Sequence, residues 1–208
     1  MSRLGCIALL IFLLTSLAPA TAQEGEPGRD VYRVELVLIA HGDAEAAGAV
    51  PALDPTVTPR TARPLPPADP TRADRLPRRL PSRELRLEAL LESRAAALPD
   101  QRPIGALGWQ LGARALRAGR TVSLDGEFPG LLGFVRLRLS TRLVVELDLR
   151  WAPASRSEGE PLVFRLRERR AIRLNEVHYF DHPAFGVLLR IEREPSLPAV
   201  AGIAEASP

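Results

Sequence analysis

The chain contains no lysine; all 28 of its basic residues are arginine. A lysine nucleophile, a Schiff base and a Walker-type phosphate loop are thereby excluded. Cysteine occurs once, at Cys6, so neither an internal disulfide nor a cysteine-based zinc site can form. Aromatic residues make up only 5% of the sequence, and histidine occurs three times, at His41, His178 and His182. A strong excess of one charge is also lacking. The formal net charge is +3, and without Arg3 it is 27 arginines against 25 acids, too even a balance to draw the chain to nucleic acid. Proline, by contrast, is plentiful: 20 residues in 208, about twice the usual share of roughly 5%. The apolar share of 46% and charged share of 25% are those of a globular chain of one domain.

Long apolar runs are absent except at the start. Cys6 to Ala18 is apolar apart from Thr15 and Ser16, follows Arg3 and ends at Pro19. Ala20-Thr21-Ala22 is a small-x-small cleavage pattern, so residues 1–22 read as a secretory signal cut after Ala22. The run is shorter than the roughly 20 apolar residues of a membrane span. No span is expected after cleavage. Cys6 heads the run, the wrong place for lipid attachment, and the mature chain then has no cysteine.

Val31 to Ile39 alternates as a strand, with Tyr32, Val34, Leu36 and Leu38 on one face. From Gly42 to Pro81 there are nine prolines, no aromatic residue, and six arginines against five acids. Such a segment buries too little apolar surface to offset its ordering entropy, so 42–81 is expected to be a disordered insertion. Ser82 is a candidate cap for a helix to about Ala97, with Leu87, Leu90, Leu91 and Leu98 as its apolar stripe and Pro99 as its stop. Strands are expected at Ile104–Gln110, Thr121–Leu124, Phe134–Leu139, Leu143–Trp151, Leu162–Glu168, Ile172–Tyr179 and Phe185–Ile191. In Leu143–Trp151 the apolar residues alternate with Arg142, Glu146, Asp148 and Arg150, the pattern of a sheet with one core face and one wet face. The expected fold is α+β: a mainly antiparallel sheet of five to seven strands packed by one helix. The expected organisation is a signal at 1–22, a first strand within 23–41, the insertion at 42–81, the main domain at 82–194 and a frayed tail at 195–208.

Chemistry-bearing residues gather between Arg169 and Val187, with His41 and Asp43 as outliers. Three readings compete. The first is a metal site from His41, Asp43, His178, Asp181 and His182, weakened because Pro183 and the strand pattern forbid the helix that would align the imidazoles. The second is acid–base hydrolysis by Glu176 and His178, two apart on one strand, without a nucleophile motif beside them. The third is a polar knot that closes the fold. In it Asp181 caps a tight turn, Phe185 re-enters the core, and Gly186 permits close backbone approach. Glu176 and His178 are then buried against Arg170 or Arg173.

The same run resembles a known family. Arg170 and Arg173, then Glu176-Val177-His178-Tyr179-Phe180-Asp181-His182-Pro183 and Phe185-Gly186-Val187-Leu188, are similar to the C-terminal motif of the CsiV-type peptidoglycan-binding proteins of Gram-negative bacteria. The early Val34-Glu35-Leu36-Val37-Leu38 strand, Trp109-Gln110 and Leu124-Asp125-Gly126 add to the likeness. The resemblance implies a periplasmic, non-enzymatic binder of peptidoglycan that supports cell-wall synthesis and cell shape. It implies no catalytic residue, cofactor or metal. It further implies an outer-membrane lipoprotein that activates a penicillin-binding protein as a partner. Arg136, Arg138 and Arg150, on wet strand faces, are candidates for carboxylate contacts. Trp109 and Trp151 are candidates for sugar stacking or for the core. A cell-wall hydrolase using the His178/Asp181/His182 region is the competing expectation.

Overall fold

The computed structural model describes residues 30–42, 59–67, 76–92, 101–153 and 163–194. The expected signal, its cleavage site and the tail from 195 lie outside them. Strand β1 (Val31–His41) is buried on both faces and lies mid-sheet, antiparallel to β3 (Gln101–Gly112) and β9 (Phe185–Glu194). With β2 (Arg78–Arg79) and β8 (Val177–His182) they form a sheet ordered β2-β3-β1-β9-β8. A second sheet runs β4 (Arg120–Ser123), β5 (Leu131–Leu139), β6 (Leu143–Trp151) and β7 (Phe164–Ile172), in chain order and wholly antiparallel.

The inner faces of the two sheets share one core. Val34, Leu36, Trp109, Phe180 and Phe185 meet Val135, Val145, Leu147 and Phe164 within it. Burial of each such side chain is worth about 1.5–3 kcal/mol, so the fold coheres without a disulfide. Helix α1 (Arg86–Glu92) lies on the opposite face of the five-stranded sheet, where Leu87 packs on Val37 and Ile39. The carboxylate of Glu35 starts that helix: its Oε2 accepts the N–H groups of Arg86 and Leu87, each at 2.7 Å. An acid at a helix N-terminus satisfies orphan donors and complements the helix dipole.

Several expectations need correction. There are two α-helices among the described residues, because Ala113–Arg117 forms a short α2 between Gly112 and Gly119 as the chain crosses between sheets. Ser82 is not a side-chain cap; it opens a single 3-10 turn (Ser82–Glu84), and extended Leu85 separates that turn from α1. Of the expected stripe, Leu87 is buried and Leu90 is exposed, while residues 93–100 lie outside the described residues. Among the described residues nine strands form, not five to seven, partly because Ile172–Tyr179 is two strands. Asn175 adopts a left-handed φ of 64°, which ends one strand and starts the next. The proline-rich stretch is packed in part: Arg63 bridges to Val122, Arg78–Arg79 pairs with β3, and Leu65 and Leu80 are buried. Its residues 43–58 and 68–75 lie outside the described residues.

Candidate functional site

Strand β8 divides the residues singled out in the sequence into two groups. At its start, Arg173 and Glu176 are exposed and face each other across the turn at 3.5 Å. An ion pair in solvent contributes about 0–1 kcal/mol. Glu176 is therefore a surface residue, not the buried partner of an arginine, because it lies in the turn between β7 and β8, just after left-handed Asn175. The His178 ring closes the same turn. Its Nε2 lies 3.2 Å from the Arg173 N–H and 3.0 Å from the Arg173 carbonyl oxygen, so it accepts from one or donates to the other according to tautomer. Each of Glu176 and His178 thus engages Arg173.

At the other end of β8, Tyr179, Asp181 and Gly186 meet His41. The His41 Nε2 lies 2.7 Å from the Tyr179 hydroxyl and 3.9 Å from the Asp181 carboxylate. Burial raises the Tyr179 pKa, and its hydrogen bond to Asp181 raises it further, so the phenol stays protonated. Gly186 is required here, since a Cβ on it would lie 2.3 Å from the Tyr179 hydroxyl. His182 caps the β8–β9 turn, the role expected of Asp181: its Nδ1 accepts the N–H of Ala184 at 3.1 Å. Its ring packs on Phe164 and Phe185, at 5.9 and 5.4 Å between centroids. Burial lowers its pKa, Asp181 partly offsets that, and His41 lowers it again. Pro183 is exposed in the turn and Phe185 is fully buried. Among the described residues no group of three or more His, Cys, Asp or Glu is placed to hold a metal, and Asp43 lies outside them.

Arg170 joins the two sheets. It leaves β7, donates to the Tyr179 carbonyl on the facing edge of β8, and lies 4.0 Å from the Phe180 ring centre. The Arg170 side chain is 38% exposed, so this cation–ring contact is worth about 0.5–1 kcal/mol. Both tryptophans are buried, Trp109 fully and Trp151 to 4% exposed, so neither presents a face to a sugar.

The outer face of the four-stranded sheet holds the arginines that alternate away from the core. By register they are Arg136 and Arg138 on β5, Arg150 on β6, and Arg165, Arg167 and Arg169 on β7, against Glu146 and Asp148 on β6. One half is closed and neutralised. Arg165 grips buried Asp148 with two bonds of 2.9 Å, Arg136 pairs with Glu146 at 3.1 Å, and Arg150 is buried. The expectation of a uniformly wet face over Asp148 and Arg150 is thus corrected. In the other half Arg138 and Arg169 are exposed, and Arg142 is exposed at the β5–β6 turn. None of these three makes an ion pair among the described residues. Arg165, Arg167 and Arg169 were not singled out in the sequence, although their alternation with Leu166 and Glu168 was there to be read.

Two antiparallel sheets around one core, with a helix on one outer face and exposed arginines on the other, define a small β-sheet module with a cationic surface. The family model for CsiV, described as a peptidoglycan-binding protein, matches residues 6–194 of this sequence. The chain belongs to the CsiV family, as the run from Arg170 to Leu188 implied. No curated protein and no solved structure matches it. Among the described residues no helix is long and apolar enough to cross a membrane.

Proposed function

We propose that this protein is a non-enzymatic, periplasmic peptidoglycan-binding module that meets the cell wall through the open half of its four-stranded sheet. The observation that carries this reading is the set of exposed arginines, Arg138, Arg142 and Arg169, without ion-pair partners among the described residues, in a chain of a peptidoglycan-binding family. Peptidoglycan carries carboxylates on its peptide arms, and a guanidinium fork matches a carboxylate in two bonds. In this reading the residues of β8 hold the sheets together and do not catalyse. The protein supports cell-wall synthesis and cell shape in company with an outer-membrane lipoprotein that activates a penicillin-binding protein, a link that rests on family membership.

The test is retention of the mature chain from Gln23 on purified sacculi, with a zymogram run beside it. Retention that weakens as salt rises, and that falls at least tenfold in Arg138→Gln/Arg169→Gln, is the expected result. Clearing of the zymogram by the parent but not by Glu176→Gln or His178→Ala would sink the non-enzymatic reading. Co-purification of the lipoprotein with the mature chain tests the partner.

A further inference from the structure

Where the open half of the sheet ends, a cleft of about 650 Å³ lies between the β5–β6 turn and the end of β7. Leu139, Leu143, Ile172 and Leu174 supply aliphatic surface, and Leu143 and Ile172 also belong to the core. Small Ala171, exposed on the outer face, keeps the cleft open, while Thr141, Arg142 and Arg173 supply the polar groups. Among the described residues no acid and no aromatic residue lines it. The volume falls within the roughly 300–1,000 Å³ of ordinary ligand sites, and the mix of apolar wall with a few polar groups is also usual.

We infer that this cleft seats the carboxyl end of a peptidoglycan peptide arm, with its small apolar side chains against the leucine and isoleucine wall and its carboxylate between Arg142 and Arg173. The inference rests on the peptidoglycan-binding reading and names the part of the polymer that is read. Three features select the peptide over the glycan. Among the described residues the lining offers no ring for a sugar to stack on. Both tryptophans are inside the fold. The charge complement of two arginines is a free carboxylate, which the peptide arm has at its end and the neutral parts of the sugar chain lack. Arg173 is only loosely engaged: it is 83% exposed and its partner Glu176, outside the lining, is 51% exposed. An incoming carboxylate replaces Glu176 at little cost, because an ion pair in solvent contributes little. Arg142 has no ion pair to give up among the described residues.

The mature protein is titrated by calorimetry with a diacetyl-lysyl-D-alanyl-D-alanine peptide, its C-terminal amide, chitotetraose and phosphatidylglycerol vesicles. Sacculus retention is measured on the same samples. The free acid binds and the amide binds about tenfold more weakly or worse, the usual cost of losing a charge-assisted hydrogen bond. Arg142→Gln/Arg173→Gln loses about tenfold for the acid and keeps its thermal midpoint, since both side chains are exposed. Ala171→Leu, which fills the cleft from its rim, loses the acid as well. Glu176→Gln, which removes the competing carboxylate, binds the acid two- to threefold more tightly. Equal binding of acid and amide, binding of chitotetraose alone, or vesicle binding that depends on Arg142 and Arg173 overturns the inference. If sacculi are retained while the acid shows no preference, the cleft fails and the proposed function stands. If the parent retains no sacculi, both fall.

Discussion

The two outer faces of this molecule use the same residue types to opposite ends. On the five-stranded sheet, Arg33 and Glu35 are 6% and 3% exposed and lie under the 3-10 turn and α1. Arg33 reaches Glu35, Glu194 and the Glu84 carbonyl, Arg78 reaches Gln110 and Glu84, and Arg86 reaches Glu192. Burial opposes ionisation of Glu194, yet its hydrogen bonds from Arg33 and Gln110 hold its pKa below the usual carboxylate value. Charge there is a mortar: each group is matched, so a helix can rest on it. On the four-stranded sheet the acids are too few, no described element covers the face, and the last arginines are left to solvent. A charge that is paired under cover holds a fold together, whereas one left bare is available to a partner.

The comparison breaks most visibly at Glu35. Glu35→Ala uncaps α1 and strips one partner from buried Arg33, so unfolding in urea is expected to show a loss of about 3 kcal/mol. A change below about 1 kcal/mol would show that the covered face is not held by its charges. Gly186→Ala comes next. The new methyl group must displace the Tyr179 ring, and the expected loss is about 1–3 kcal/mol, with Tyr179→Ala in the same chain recovering part of it.

A pH effect smaller than either substitution is expected from His182. Its folded pKa is depressed, so the unfolded chain binds the proton more tightly. The stability it contributes is fully present above the ordinary histidine value near 6.5 and is lost as pH falls through its lower folded value. Protonation also occupies the Nδ1 that accepts from Ala184. Thermal melts between pH 7.5 and 5 should fall more steeply for the parent than for His182→Gln; parallel curves would exclude His182 as the source.

The smallest stability effects are expected on the bare face. Arg138→Gln and Arg169→Gln should each change stability by no more than about 0.5 kcal/mol. Glu176→Gln should stay below about 1 kcal/mol. If the arginine variants lose sacculus retention while folding normally, the contrast between the two faces is sharpened. If they unfold, the bare face is structural after all.

Much of the fold was legible because strands advertise themselves by a period of two or by an aliphatic run. β5 and β6 alternate plainly, β1 is a mostly aliphatic run, and Leu143, Val145, Leu147, Leu149 and Trp151 are all in the core. The helix was legible as a region but not in its start, since its N-terminal acceptor is Glu35, 51 residues away in sequence. The candidate site was less legible. Arg170 was singled out, but its place over Phe180 depends on two sheet edges meeting. Glu176 was expected inside because Asn175 was read as a strand residue, although asparagine is the non-glycine residue readiest to turn left-handed.

By itself the sequence determined that this is an antiparallel, cysteine-poor, lysine-free domain of the CsiV family, with a motif from Arg170 to Leu188 that closes the chain. These properties are local: they reside in periodicity, composition and a contiguous run of residues. Only the tertiary structure decided which arginines are spent on the fold and which stay free. Arg165 and Arg169 sit four apart on one strand and share a face, yet one is locked on Asp148 and the other is bare. The difference is not in register, which sets Arg169 opposite Glu146 and Arg165 opposite Arg150; it comes from which arginine each acid takes, Glu146 pairing with Arg136 and buried Asp148 with Arg165.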